Sequence, residues 1–560
     1  MLCLIAATAC SPSDTEDVAP EQRAADAFFN DWRRGDSVGM SEALDPTSGT
    51  AWTSIDIDDR MDEILADGQV TEFDVRRSGP PDKSGSGALV PYEISYTSEA
   101  ASEPVVLQGQ LELATDDEDR WAVVWDDSSF FPGVARGVTF EISSKPLRRG
   151  AVVDRKGRRL AVGPDHSRRY PAHSVAGSVV GHLEPATRKA LRALGPGYQV
   201  GDLVGGSGIE EAFQAELAGT PATTLAVVDG RGRIQERVGR RAGTPGKSVR
   251  TTLDLAVQRA AESAYGGTTG GAVVMDPQTG DLLAIVSSSP FDPSNYVGVA
   301  GIEPFNRALS GSYPPGSSMK VVTAAAALDT KVVKPSTRLA GPANYQGVRN
   351  FEGGDFGTID FATAVQKSVN TAFAQVALDL GAERMTEYAE RFGFNQDPKM
   401  PLPAATSSFP RPEDDSDLMW GSIGQAQVLA TPMHMATVAA TIANRGTRME
   451  PRISFAQEPT GVRAVKRASA RQLTELMRRV VTGGTGTAAN IAGADVAGKT
   501  GTAEVTVDGE IMNHGWFICF APASHPKVAV AVVSELGGVG GQVAAPLARG
   551  ILQGVLPLVK

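Results

Sequence analysis

Three apolar, strand-like runs close the chain: VAGKTGTAEVT, NHGWFICFAP and KVAVAVVSEL. The segment that can share a sheet with them lies far upstream, at GGAVVMDPQTGDLLAIVSSS, where a Pro-Gln-Thr-Gly turn joins two apolar runs into a hairpin pattern. Helical patterns dominate the residues between. Strands at both ends of a helical middle predict one α/β unit whose sheet is closed by both of its termini. That unit is read as residues 242–560, with an antiparallel sheet and a helical subdomain. It is entered through GTPGKSVRTTLDLAVQRAAESAY, a strand running into a helix, and left through a helix from Ala544.

Two further stretches precede it. Residues 21–137 open with Ala24, Ala27, Phe28 and Trp32 at helix spacing. The alternating runs LVPYEISYTS, VVLQGQLELA and RWAVVWD follow, separated by turn-rich pieces such as SGPPDKSGSG. A helix followed by an antiparallel meander predicts a small α+β cone. Residues 138–241 carry two hairpin turns between apolar strands, Asp-Arg-Lys-Gly at 154–157 and Asp-Gly-Arg-Gly at 229–232. With 560 residues, 41% of them apolar, the chain is a multidomain α+β protein with ample material for its cores. The net charge of −12 and the lack of a basic block argue against nucleic acid as a partner. The run Asp116 to Asp119 lacks calcium-loop spacing and reads as a solvated hairpin tip. Three cysteines, Cys3, Cys10 and Cys519, are too few for a disulfide framework or a cysteine-rich zinc site.

Chemistry concentrates in three short motifs of the last stretch. In the first, Ser317-Ser318-Met319-Lys320 follows Tyr-Pro-Pro-Gly, which suits a turn into a helix continued by VVTAAAALDT. Serine and lysine three apart share a helical face, so the amine can reach the hydroxyl. A serine is a poor nucleophile until a base takes its proton, and a lysine is that base only with a lowered pKa. Backbone N–H groups at the helix start can stabilise an oxyanion. The second motif is Ser368-Val369-Asn370, whose polar side chains can point into one cleft and offer a proton relay and an amide. The third is Lys499-Thr500-Gly501-Thr502 in a strand-like run. A cation with hydroxyls at a strand edge suits a carboxylate. Gly501 is read as leaving room for a substrate backbone.

Each motif alone is weak, since Ser-x-x-Lys arises often by chance. Their order carries the weight: serine first, Ser-x-Asn about 50 residues later, Lys-Thr-Gly about 130 beyond. This trio resembles that of the penicillin-binding proteins. GSIGQAQVLATPMHMATVAATIANRG (421–446) and NHGWFICFAP add to the likeness, although Ala426 stands where the family usually has glycine. RRGAVVDRKGRRLA and GIEEAFQAELAG resemble the elongated pedestal, or dimerisation domain, of class B members. Trp121, Trp125 and Phe130-Phe131-Pro132-Gly133 resemble the end of the NTF2-like N-terminal extension of methicillin-resistance-type members, although any curved-sheet module would read similarly. The resemblance implies a β-lactamase-like transpeptidase fold in the last stretch. It implies a peptidoglycan D,D-transpeptidase acting on stem peptides ending D-Ala-D-Ala and acylated by β-lactam antibiotics. Catalytic residues would be Ser317 as nucleophile, Lys320 as base and Ser368 as relay. Asn370, Lys499, Thr500, Gly501 and Thr502 would bind substrate, with the Thr502 N–H in the oxyanion hole. No metal or organic cofactor is implied. A glycosyltransferase of the wall machinery is the protein partner implied.

Rival readings share parts of this pattern. A D,D-carboxypeptidase has all three motifs and differs only in using water as acceptor. A class A β-lactamase needs a Glu-x-x-Leu-Asn segment, and none lies between Asn370 and Lys499. A β-lactam-binding scaffold without turnover is the non-enzymatic alternative. His514 and Cys519 read as structural. At the start, residues 1–20 are read as a signal segment and tether. MLCLIAATA before Cys10, then a polar segment, resembles a bacterial lipoprotein signal with Cys10 as the lipidated residue. The end of a signal anchor and a buried start are the alternatives. The first two place the chain on the extracytoplasmic face of the membrane.

Overall fold

The computed structural model describes residues 18–45, 52–115, 119–194, 197–295 and 305–559. Cys10 and the start of the acidic run, Asp116 to Glu118, lie outside the described residues. The chain forms two compact units. The first comprises residues 1–147, 187–200 and 220–245; the second comprises 148–186, 201–219 and 246–560. The stretch read as a pedestal thus contributes to both. Among the described residues, no helix is long and apolar enough to cross a membrane.

In the first unit, helix Pro20–Arg34 lies against an antiparallel sheet that runs Val70–Arg77, Gly87–Ser98, Val105–Thr115, Trp121–Val124. The helix-spaced residues Phe28 and Trp32, with Phe29, are buried against Tyr92, Trp125 and Phe130. Trp32 and Trp125 meet edge-on at 4.8 Å between ring centroids, the geometry that aromatic quadrupoles favour. A second sheet, ordered Ile234–Arg241, Ala222–Asp229, Val138–Lys145, adds Phe140, Leu225 and Val227 to the same core.

The second unit holds a five-stranded sheet built from both ends of its last stretch. Its order is Leu282–Ser287, Gly270–Met275, Val528–Ser534, Glu510–Ala521, Ala497–Val507, antiparallel throughout. The upstream hairpin and the three C-terminal runs therefore share one sheet, with Gly270 opposite Ser534. Both faces are covered, which is why these strands read as unbroken apolar runs. Ala272, Val274, Phe517, Cys519, Val530 and Val532 face one core with Ala544, Ala548 and Leu552 of the helix Ala544–Val555. Their neighbours Val273, Met275, Trp516, Ile518, Ala529 and Ala531 face the other, with residues of Pro432–Ala443 and further helices. The Lys-Thr-Gly strand, Ala497–Val507, is an edge of this sheet.

Within the same unit the stretch read as a pedestal buries charge. Arg149, with no exposed side-chain area, donates through Nε to Glu210 Oε2 at 2.9 Å, and its Nη2 lies 2.7 Å from the same oxygen. Arg168 Nε donates to Glu210 Oε1 at 2.7 Å, and its Nη1 to the carbonyls of Gly150 and Gly163. Asp165 completes a cluster of two cations and two anions.

Candidate active site

Gly316–Met319 forms a 3-10 turn that leads into the helix Lys320–Asp329. An α-helical face is the sequence expectation for Ser317 and Lys320; the tighter turn, with three residues per turn, brings residues three apart into line. Glycines let the turn sit where it does. Gly316 has φ +52, and a Cβ there would lie 2.5 Å from the Thr502 carbonyl. Its N–H donates to the Gly424 carbonyl at 2.8 Å. Gly501 serves the same packing: a Cβ there would meet the Pro315 carbonyl at 2.7 Å and Trp516 at 2.8 Å. The space above Gly501 is occupied by the serine turn, so its lack of a side chain admits that turn rather than a substrate backbone. Trp516 Nε1 donates to the Pro314 carbonyl at 2.9 Å and ties the turn to the strand beside it.

Ser368 and Asn370 sit at a corner between helices Phe361–Lys367 and Asn370–Leu380. Ser368 caps the first helix in the left-handed region, at φ 59 and ψ 40, a conformation costly for a residue with a Cβ and typical of functional sites. The corner aims both side chains at Lys320. The Lys320 ammonium donates to the Ser368 carbonyl at 2.7 Å, to Ser368 Oγ at 3.2 Å and to Asn370 Oδ1 at 2.5 Å. Lys499 reaches the same hydroxyl from the strand, 2.8 Å from Ser368 Oγ, and also donates to the Thr500 carbonyl at 2.9 Å. One serine oxygen thus bridges two lysines, each 1% exposed.

Their electrostatics follow. Burial, and secondarily the charge of Lys499, hold the Lys320 amine well below the usual lysine range. Burial alone brings Lys499 down to about 7. No carboxylate bonds to either lysine among the described residues, so no opposite charge offsets the burial.

These residues border a cleft of about 780 Å³, into which Ser317, Ser368, Asn370, Thr500 and Thr502 open. Lys499 and Gly501, on the alternate face of the strand, do not line it. Thr500 Oγ1 is 2.7 Å from Thr485 Oγ1, and Thr502 Oγ1 accepts from the Gly540 N–H at 3.2 Å. All three motifs thus converge. Sequence reasoning missed the other lining residues, among them Arg349, Asn350, Trp420, Gln425 and Thr485. They come from loops, a helix end and a two-residue strand, with no motif. The nearest signal was the segment Gly421 to Gly446, which supplies Gln425. Ala426 has φ +58, so the position at which glycine is usual does take a left-handed backbone, and alanine adopts it here.

Two residues read as structural behave so. His514 Nδ1 accepts from the Leu536 N–H at 3.0 Å, and its ring meets Tyr313. Cys519 is fully buried in the sheet, which pushes its thiol pKa up. A separate void of about 30 Å³ lies at His434 and Arg448, away from the motifs and large enough for about one water.

Comparison with known proteins agrees with this geometry. Residues 270–553 match the family described as Penicillin binding protein transpeptidase domain, residues 159–251 the Penicillin-binding Protein dimerisation domain, and residues 19–137 the NTF2-like N-terminal transpeptidase domain. Peptidoglycan D,D-transpeptidase PbpA of Mycobacterium tuberculosis is 36% identical, over 56% of this chain and 73% of its own. Penicillin-binding protein 3 of Bacillus subtilis is 24% identical over 92% of both chains. Among solved structures, the D,D-transpeptidase domain of a peptidoglycan glycosyltransferase from Eggerthella lenta is 31% identical with a TM-score of 0.63, covering 74% of this chain and 99% of that one. By the match of half its length and by these relatives, the chain belongs to the class B penicillin-binding proteins, with an NTF2-like N-terminal extension.

Proposed function

We propose that the protein is a serine-type peptidoglycan D,D-transpeptidase that cross-links stem peptides through an acyl-enzyme on Ser317. The observation that carries this reading is the Ser368 hydroxyl held between two buried, pKa-depressed lysines at the mouth of the serine's cleft. As a neutral amine, Lys320 has two N–H donors and a free lone pair. It takes the Ser317 proton while Oγ bonds to the carbonyl carbon of the penultimate D-Ala. The C–N bond then breaks, and the proton passes through Ser368 to the departing D-Ala amine. Thr500 and Thr502 hold the terminal carboxylate, Lys499 supplies its charge from behind them through the Ser368 hydroxyl, and Asn370 positions the acyl amide. The N–H groups of Ser317 and Thr502 serve as oxyanion donors. An amine from a second stem attacks the acyl carbon, the ester bond breaks, and Ser317 regains its proton. β-Lactams acylate the same hydroxyl.

By this reading, residues 21–137, 138–241 and 242–560 are extension, pedestal and transpeptidase. The protein works outside the cytoplasmic membrane with Cys10 as its lipidated anchor and a wall glycosyltransferase as its partner. Labelling with a fluorescent penicillin tests the chemistry. The expected result is an adduct that persists for hours and is absent in Ser317→Ala. Rapid release of the label would indicate a β-lactamase, and no adduct even at high concentration would indicate a resistant cleft or a non-catalytic scaffold.

A further inference from the structure

A loop, residues 535–543, joins the strand Val528–Ser534 to the helix Ala544–Val555, and borders the cleft through Val539, Gly541 and Gln542. It starts with a backbone that is costly to hold. Leu536 has φ +51, in the left-handed region that a bulky side chain rarely takes. His514, on the neighbouring strand Glu510–Ala521, holds it there: the Leu536 N–H donates to His514 Nδ1 at 3.0 Å. Nδ1 accepts only from a ring whose proton sits on Nε2, so this imidazole is neutral. Its surroundings suit that form. The residue is 8% exposed, and burial holds its pKa below the usual histidine range against the pull of Glu535. Glu535 is itself engaged by Arg307 Nε and by the Tyr313 hydroxyl, each at 3.1 Å, and the Tyr313 ring meets the imidazole edge-on at 5.2 Å. Across the sheet, His514 is paired with Ala503, which carries no charge.

Beyond Leu536 the loop returns to the strand that carries the Lys-Thr-Gly motif. The Gly538 N–H donates to the Asn513 carbonyl at 3.1 Å, and the Gly540 N–H to Thr502 Oγ1 at 3.2 Å. Gly540 sits so close that a Cβ there would meet the Gly501 carbonyl at 2.0 Å. The bond to Thr502 fixes a polarity. A hydroxyl has one proton to give, and Thr502 Oγ1, having accepted from Gly540, keeps that proton for another partner. A carboxylate only accepts, so a threonine turned this way serves one. Given the carboxylate-binding role proposed for Thr502, on which this inference rests, we propose that His514 is a positioning residue for that contact. It pins the Leu536 turn, the turn places the Gly540 N–H, and Gly540 leaves the Thr502 proton to the cleft. Without the imidazole acceptor, nothing offsets the cost of the left-handed turn, and the loop loses its hold on Thr502.

Two acyl-D-alanyl thioesters test this. In one the leaving group is thioglycolate, which carries a carboxylate; in the other that carboxylate is methylated. With both, Ser317 Oγ bonds to the acyl carbon, the C–S bond breaks and the thiol leaves. The readout is the rate of acylation by mass spectrometry, taken as the carboxylate-to-ester ratio within each variant, so that general losses of activity or of folded protein cancel. His514→Leu should lower the ratio by about tenfold, the size of one charge-assisted hydrogen bond. His514→Asn, whose Oδ1 takes the place of Nδ1, should restore most of it. His514→Gln, whose amide reaches the place of Nε2 instead, should lose it as the leucine does, and it serves where the apolar variant does not fold. A ratio unchanged in His514→Leu and His514→Gln, or lost equally in His514→Asn, would overturn the positioning role. Thr502→Val run in parallel distinguishes the failures. If it lowers the ratio while the His514 variants do not, only the positioning role falls; if it leaves the ratio as in wild type, the carboxylate role of Thr502 falls and takes this inference with it.

Discussion

Two of the places where the second unit buries charge follow opposite rules. In the pedestal element, Glu210 sits between Arg149 and Arg168, with Asp165 alongside, and opposite charges share short hydrogen bonds. At the active site, Lys320 and Lys499 are buried to the same degree, but they have like charge and share only neutral oxygens. Burial penalises any isolated charge by several kcal/mol. In the pedestal, partners of opposite sign recover that cost. At the cleft no opposite charge recovers it, so the cost appears as depressed amine pKa values. A buried charge thus specifies structure where it is paired and becomes reactive where it is not.

The widest separation between the two regions should appear in chemistry. Ser317→Ala or Lys320→Ala is expected to lower β-lactam acylation by at least about 10³-fold, because the nucleophile and its base act as a unit. Acylation kinetics check this, and a Lys320→Ala enzyme with near-normal rates would remove the lysine from its role as base. In the pedestal the same kind of change should act on stability instead. Glu210→Gln leaves two buried guanidinium groups with Asp165, 3.4 Å from Arg149, as their remaining counter-charge in the cluster, which costs about 3–5 kcal/mol. Denaturant unfolding of the second unit's transition should show that loss, while the fraction that remains folded acylates at the normal rate. A loss below about 1 kcal/mol would mean that water already reaches the cluster.

The sequence foretold more of the sheet and motifs than of the cleft walls, for physical reasons. Gly270–Met275 and Val528–Ser534 announce themselves because strands buried on both faces must be apolar at every position. Ser317, Ser368 and Lys499 are legible because their chemistry demands fixed residue types in fixed order. Gly501 was legible as a requirement but not in its cause: a close contact with the Pro315 carbonyl depends on a turn distant in sequence. Arg349, Trp420 and Thr485 carry no periodicity, and only tertiary folding brings them to one cleft. The Arg149–Glu210–Arg168 cluster was invisible for the same reason, since charged residues in a sequence normally read as surface.

A smaller effect tests whether the two lysines are coupled to each other. Lys320 must be neutral to act, and Lys499 must be charged to hold a carboxylate, so acylation by a β-lactam should follow a bell in pH. Its falling limb begins near Lys499's value of about 7, with both limbs belonging to the pair rather than to either residue alone. Lys499→Gln removes the falling limb. It also removes the charge that helps depress Lys320, so the rising limb should move to higher pH. The rate at its optimum should drop by roughly 10–100-fold, the worth of a charge-assisted hydrogen bond in the carboxylate's site. A bell with both limbs in place would show that another group governs the profile.

The smallest expected effect is also the sharpest contrast with the pedestal. Lys320→Met replaces a buried amine with an apolar side chain of similar length, and it should stabilise the fold by about 1 kcal/mol. The gain is modest because the ammonium's three acceptors lose a donor; Ser368 Oγ, however, keeps Lys499, and Asn370 faces the cleft and its water. The pH dependence gives the sign. Between about 7 and 10.5 the folded state binds fewer protons at Lys499 than the unfolded chain, so this group's contribution to stability rises with pH across that window and is lost on acidification. Lys320 acts in the same direction. In Lys320→Met its share of that slope should vanish, leaving a flatter rise in melting temperature from pH 7 to 9.5 and a gain over wild type that is largest at pH 7. Destabilisation at pH 7 would mean that the bonds to Ser368 and Asn370 outweigh the buried charge, and the division between a paired, structural site and an unpaired, reactive one would fail on its simplest test.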